Sequence, residues 1–179
     1  MAYTQRQDLM TRVGITGHQN LGDDSRQQHV KRALQHVVSK FPTPLIAVTS
    51  LAAGADQVFT RVMVNYGAQI DAVIPFEGYE RIFVTKSSRH EYFSLLGLAS
   101  TVTVLPRVGS DEECFFEAGK MVVSRSDVLV AIWNGKPARG LGGTADIVKF
   151  AHDEKHLDIK WINPDVDGKI ETISARVFP

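Results

Sequence analysis

At 179 residues, with 44% apolar and 22% charged side chains, the chain has the composition of a globular protein with one sizeable core, not of a disordered or fibrous one. Twenty basic residues offset twenty acidic ones, which argues against nucleic acid or an anionic membrane surface as the main partner, although neutrality leaves room for a local basic patch. No apolar run approaches the roughly 18 residues that cross a bilayer, and the opening MAYTQRQDLMTR lacks the apolar core of a signal peptide, so a cytoplasmic location is expected.

The first apolar run, Arg12 to Thr16, is followed by the loop Gly17-His-Gln-Asn-Leu-Gly22 and an amphipathic segment from about Asp24 to Lys40. In that segment Val30, Leu34, Val37 and Val38 recur at helical spacing. Pro42-Thr-Pro44 ends the helix before a second run, Leu45 to Thr49. The loop Ser50-Leu-Ala-Ala-Gly-Ala-Asp56 then leads into a helix from Ala55 to Tyr66. A third run, Ile70 to Ile74, precedes Pro75-Phe-Glu-Gly-Tyr79 and a helix from Ser87 to Leu98. The fourth run, Thr101 to Leu105, is followed by a helix from Asp111 to Ser126, and the fifth, Val128 to Trp133, by a glycine-rich loop and a helix from Thr144 to His156. A sixth run covers Ile159 to Ile162, and Asp165 to Pro179 is read as a terminal strand or a tail.

Most of these runs are β-branched and apolar almost throughout, the pattern of strands covered on both faces. Strict alternation with helices implies parallel strands joined by right-handed crossovers. The expected fold is therefore α/β: a doubly wound, mostly parallel sheet of about six strands with helices on both faces, spanning 1–179 as a single domain. In such a sheet ligands bind beyond the carboxyl ends of the strands, where the winding reverses.

The residues just past each strand are thus the candidate site. In the first loop, Gly14, Gly17 and Gly22 do not spell the dinucleotide fingerprint G-x-G-x-x-G, and Asp23 and Asp24 at the next helix start would repel a phosphate. His18, just past the strand tip, is either a ligand-facing group or a structural hydrogen-bonding one. In the second loop the small residues Ser50, Ala52, Ala53 and Gly54 either expose backbone N–H groups to an anion or only allow close packing. Asp56 reaches a ribose hydroxyl or, in the favoured reading, caps the helix. Glu77 and Tyr79 sit either at a ligand, with Tyr79 or Phe76 stacking on a base, or in a solvent turn. In the fifth loop Gly142 and Gly143 present N–H groups to a phosphate or polar ligand, Thr144 is a good N-cap, and Lys136 or Arg139 adds charge. Asp146, in the first turn, competes with such an anion.

Taken together, VGITGH, SLAAGAD, PFEGY, SDVLVAIWNG and GLGGTADIV, each in order at or before a strand end, resemble the SLOG superfamily over roughly residues 12 to 163. This Rossmann-like group includes the LOG cytokinin-activating phosphoribohydrolases, the DprA/Smf proteins and ligand-sensing domains of bacterial defence systems. The resemblance implies a pocket for a nucleotide or nucleotide-derived molecule, with Gly142, Gly143 and Thr144 around the phosphate, and assembly into homo-oligomers.

In the LOG hydrolases the loop reads P-G-G-x-G-T-x-x-E, and its glutamate works with an arginine from a preceding E-R-K helix. Here the glutamate position is Ile147 and the arginine position is Ala118, while Glu117 matches the helix glutamate. N-glycosidic cleavage needs a carboxylate near an oxocarbenium-like centre, which Ile147 cannot supply. Binding or sensing of a nucleotide-type small molecule is therefore the leading expectation. The alternative is a nucleotide N-glycosidic hydrolase drawing on Glu117 or Glu77, and DNA processing ranks third.

Other chemistries have less support. A nicotinamide-dependent dehydrogenase lacks its fingerprint glycines and its acidic residue, since the second strand ends in Thr49-Ser50. No histidine spacing or carboxylate cluster suggests a metal, and no cofactor is implied. Cys114, the single cysteine, reads as an inert buried thiol within its helix. Phe93 to Leu96 and Cys114 to Phe116 are the apolar segments available to an interface or to the core.

Overall fold

The computed structural model describes residues 10–137, 140–166 and 169–174. Strand β1 (Thr11–Gly17) leads to helix α1 (Asp24–Val38), β2 (Leu45–Thr49) to α2 (Ala55–Asn65), and β3 (Gln69–Ile74) to α3 (Lys86–Leu96). Then follow β4 (Thr101–Val104), α4 (Asp111–Ser124), β5 (Val128–Ile132), α5 (Thr144–Lys149), β6 (Asp158–Ile162) and β7 (Ile170–Ile173).

The described strands form one seven-stranded sheet in the order β4-β3-β2-β1-β5-β6-β7. Every pairing is parallel except β6 with β7. The winding runs outward from β1 to β4 and then returns to the other side of β1. The topological switch point therefore lies between the carboxyl ends of β1 and β5.

Side-chain alternation divides the core by sheet face. Val13, Ile15, Ala47, Val130 and Ile132 pack with Val30, Leu34, Phe59 and Met63 of α1 and α2, and Ile70, Ala72 and Ile74 pack with Tyr92 and Leu95 of α3. On the opposite face Val48 and Val73 meet Ala118 and Val122 of α4, while Leu129, Ala131 and Ile159 meet Val123, Ile147 and Val148 from α4 and α5.

Helix ends follow local chemistry. Asp23 caps α1 by accepting from Arg26 N at 3.0 Å. Ser110 and Glu113 close a reciprocal capping box at α4. The expectations match most elements to within a residue or two, and two differ. The fourth strand is an edge strand, with Val102 and Val104 47% and 52% exposed, not covered on both faces. Of the readings of the segment after Asp165 the structure shows the terminal strand, β7, antiparallel at the far edge. The last helix passes at Phe150 into a π-type turn ending at Glu154.

At the amino ends of the strands, Asp71 on β3 accepts from Arg12 of β1 and, at 3.0 Å, from Arg125 at the end of α4. Arg12 also donates to Arg125 O, and Arg125 Nη1 reaches Thr103 of β4. This network ties three strands to α4 on the side opposite the carboxyl edge. Among the described residues, no helix is long and apolar enough to cross a membrane.

Candidate functional site at the switch point

His18 joins the loops at the switch point. Its backbone N–H donates to Ile132 O of β5 at 3.0 Å, and its carbonyl accepts from Ala55 N at the start of α2. Its Nε2 accepts from Asn134 N at 3.3 Å, just past β5. The imidazole therefore spans the crevice between β1 and β5, and acceptance at Nε2 leaves Nδ1 as its donor. Gly17 permits this closeness, since a Cβ there would stand 2.5 Å from Ala55 Cβ and 2.8 Å from Ile132 O. His18 is structural through these three contacts, and its imidazole lies at the switch-point crevice. Asn134, which the sequence did not single out, is its partner.

The β2–α2 loop is held from beneath. Asp56 is buried, and its Oδ2 accepts from Ser50 N at 3.2 Å, Ala52 N at 3.3 Å and Thr49 Oγ1 at 3.3 Å. Burial outweighs these hydrogen bonds and pushes its pKa up from 3.8 to about 7. This corrects one expectation: Asp56 braces the loop instead of capping α2, whose N-cap is Gly54. Of the two readings of Ser50 and Ala52, the anion-facing one meets N–H groups that already have a carboxylate partner. Gly54 cannot be replaced without strain: its φ is +79°, and a Cβ would lie 2.2 Å from Gln19 O.

The glycine loop after β5 repeats the device. Gly142 donates to Asp146 Oδ2 at 3.0 Å, so this loop N–H already has a carboxylate partner. Gly142, at φ +78°, leans on α4, where a Cβ would meet Glu112 O at 2.8 Å and Phe116 N at 2.9 Å. The N-cap of α5 is Gly143, one residue before the expected Thr144, and no side chain caps it. Arg139 lies outside the described residues, and Lys136 is exposed.

The remaining candidates fall elsewhere. Tyr79 is buried in an aromatic cluster with Phe76, Phe83, Tyr92 and Phe115. Burial first, and then the Asp56 carboxylate, raises its hydroxyl well above the usual range. Its ring is engaged by other rings instead of standing free for a base. Glu77 is exposed. Glu117 is exposed on α4 and paired to Lys120 Nζ at 2.5 Å. Ala118 and Ile147 lie in the core, 1% and 2% exposed. Cys114 is buried, with its sulfur 3.5 Å from Val108 N. Among the described residues no group of three or more His, Cys, Asp or Glu side chains is placed to hold a metal ion.

A groove of about 830 Å³ opens next to this edge, between α1, α2 and the segment from Tyr79 to Glu91. It was not legible as a motif, because its lining comes from four separate stretches of chain.

No family model matches the chain, and no curated protein matches it. Solved structures do. DNA processing protein A from Helicobacter pylori, described for its single-stranded DNA binding mode, superimposes with a TM-score of 0.59 at 12% identity, covering 86% of this chain and 66% of that one. DNA processing protein A from Streptococcus pneumoniae gives 0.60 at 15% identity, covering 85% and 50%. The molybdenum cofactor binding protein of the phototrophic bacterium Rippkaea orientalis gives 0.55 at 13% identity, covering 86% and 77%. The chain thus spans from half to about two thirds of the length of the two DNA-processing proteins.

These likenesses correct one expectation. Zero net charge was read as making nucleic acid an improbable partner, yet a similar fold binds single-stranded DNA. Net charge sums over the whole surface, whereas a strand is held by local cations. Proteins of this architecture bind ligands as different as single-stranded DNA and molybdenum cofactor. Strand order and structural neighbours together identify the fold as a Rossmann-type sheet like that of DNA processing protein A, with its topological switch between β1 and β5.

Proposed function

We propose that residues 1–179 act as one domain that binds a nucleotide or nucleotide-derived molecule at the carboxyl edge of the sheet, without cleaving it. The burial of Ala118 and Ile147 carries this reading. At the two positions where a LOG hydrolase keeps its arginine and glutamate, this chain has core side chains and no space for polar ones. Glu77 and Glu117 are exposed, and Glu117 is already ion-paired, so neither replaces the missing carboxylate beside a sugar. Binding itself retains its means: the His18 Nδ1 donor at the switch crevice and the backbone of Gly143.

Calorimetric titration with nucleoside mono- and diphosphates, ADP-ribose and cyclic nucleotides tests the reading. Micromolar to submillimolar binding by at least one of them, weakened in His18→Ala, is the expected result. No binding at millimolar concentration removes the proposal, and release of free base from a bound nucleotide replaces it with the hydrolase reading.

A second reading has a specific motive in the single-stranded DNA bound by the Helicobacter pylori neighbour. The nucleotide recognised here is then one unit of a strand. An anisotropy titration with a short oligonucleotide at low salt separates the two: affinity for the strand well above that for the mononucleotide, falling steeply with salt, selects the strand.

A further inference from the structure

We infer that the groove between α2 and the Tyr79–Glu91 segment, which meets the carboxyl edge at Ala53 and Gly54, is a second small-molecule subsite, for a flat apolar anion carrying one N–H or O–H donor. It goes beyond the nucleotide reading and does not depend on it. At about 830 Å³ the groove has the size of sites that enclose small organic ligands.

Its walls are apolar, with Val58 and Val62 from α2, Leu21 from the β1–α1 loop, and Ile82, Phe83 and Val84 opposite. Val84 is 97% exposed at the rim. A valine so fully solvated beside an apolar hollow gains burial only when something occupies the hollow.

The polar groups define the ligand's chemistry. Gln57 lines the groove yet is only 7% exposed, and its Nε2 donates to Ser88 O at 2.8 Å and Leu51 O at 3.4 Å. Among the described residues its Oε1 makes no hydrogen bond, and no buried side-chain oxygen lacks a partner, so that oxygen keeps some exposure where Gln57 lines the groove and is an acceptor open to a donor. Arg61 is neutralised by Glu91 at 2.8 Å. Lys31, also lining and exposed, forms no salt bridge among the described residues, which leaves a cation at the mouth. An apolar body fits the walls, a donor fits Gln57 Oε1, and an anionic group fits Lys31.

The probe 1-anilinonaphthalene-8-sulfonate has all three features: fused rings, an anilino N–H and a sulfonate. Fluorescence titration of the intact chain at neutral pH is expected to show saturable one-to-one binding with blue-shifted emission. Lys31→Glu should weaken it at least fivefold, and Val58→Trp, which fills the groove, should abolish it. Lys155→Glu, at the amino end of β6, should leave it unchanged. Near-UV circular dichroism shows that each variant is folded, and exposed Lys31 keeps the test independent of any folding defect at Val58. Binding that does not saturate, or is the same in Lys31→Glu, overturns the inference. So does displacement of the probe by a nucleotide whose binding depends on His18, because the two sites would then be one. Absence of nucleotide binding alongside saturable probe binding counts only against the nucleotide reading.

Discussion

Ile147 lies so close to Gly119 that a Cβ added to the glycine would stand 2.4 Å from its Cδ1. Helix α5 thus docks on α4 through the very residue that stands where a hydrolase would keep its catalytic glutamate. Ile147→Glu is therefore expected to destabilise the chain by about 3 kcal/mol or more, because it buries a carboxylate without a partner. It should restore no base-releasing activity. Gly119→Ala overpacks the same contact and should cost about 1–3 kcal/mol. Urea denaturation and a nucleotide hydrolysis assay check both.

Asp56 predicts a pH dependence with a definite sign. Its folded pKa of about 7 lies above the 3.8 of an ordinary aspartate, so between those values the folded state holds more protons than the unfolded one. Stability is then greatest at the acid end of that window and falls as pH rises to about 7, by up to about 4 kcal/mol from this group. Asp56→Asn keeps an acceptor for the Ser50 and Ala52 N–H groups and should flatten the dependence. Denaturation midpoints at pH 5 and pH 8 should differ less in the variant than in the wild type.

The bond from Gly142 N to Asp146 Oδ2 predicts a gain of function. Asp146→Ala frees that N–H and removes a negative charge from the edge. Phosphate-bearing ligands should bind about five- to tenfold tighter, the scale of one charge-assisted hydrogen bond. Calorimetry on both proteins measures it, and weaker binding by the variant contradicts the competition.

Asp71 predicts the reverse pattern at the other edge of the sheet. Asp71→Ala leaves Arg12 and Arg125 facing each other without their shared carboxylate. The loss should be about 2 kcal/mol of stability, moderated because both guanidinium groups are partly in water. Ligand affinity should not change, since the network lies at the amino ends of the strands. Thermal unfolding and calorimetry together test this.

The sheet and its helices were legible because their signals are local and repeated. Leu45 to Thr49 and Val128 to Ile132 are apolar at nearly every position, which marks strands covered on both faces. Thr101 to Val104 carries the same residue types and yet lies at an edge. Strand composition does not report strand order, so this exposure was hidden.

At the site, spacing located Gly17, His18, Gly54, Gly142 and Gly143 at strand ends, but not what their N–H groups contact. Spacing favours Asp56 as a helix cap over a ribose contact and makes Asp146 a competitor of a bound anion, whereas each folds back onto its own loop. Gln57 stands beside Asp56 in sequence, and only the packing of Ser88 against it shows the groove.

Amide chemical-shift mapping with a bound nucleotide reads the proposed binding edge at the β1/β5 switch residue by residue. Shifts concentrated at Gly17-His18, Ser50 to Gly54, Asn134 and Gly142 to Thr144, with the nucleotide recovered intact, are the predicted result. Shifts confined to surfaces away from these loops, or release of the free base during the experiment, would contradict it.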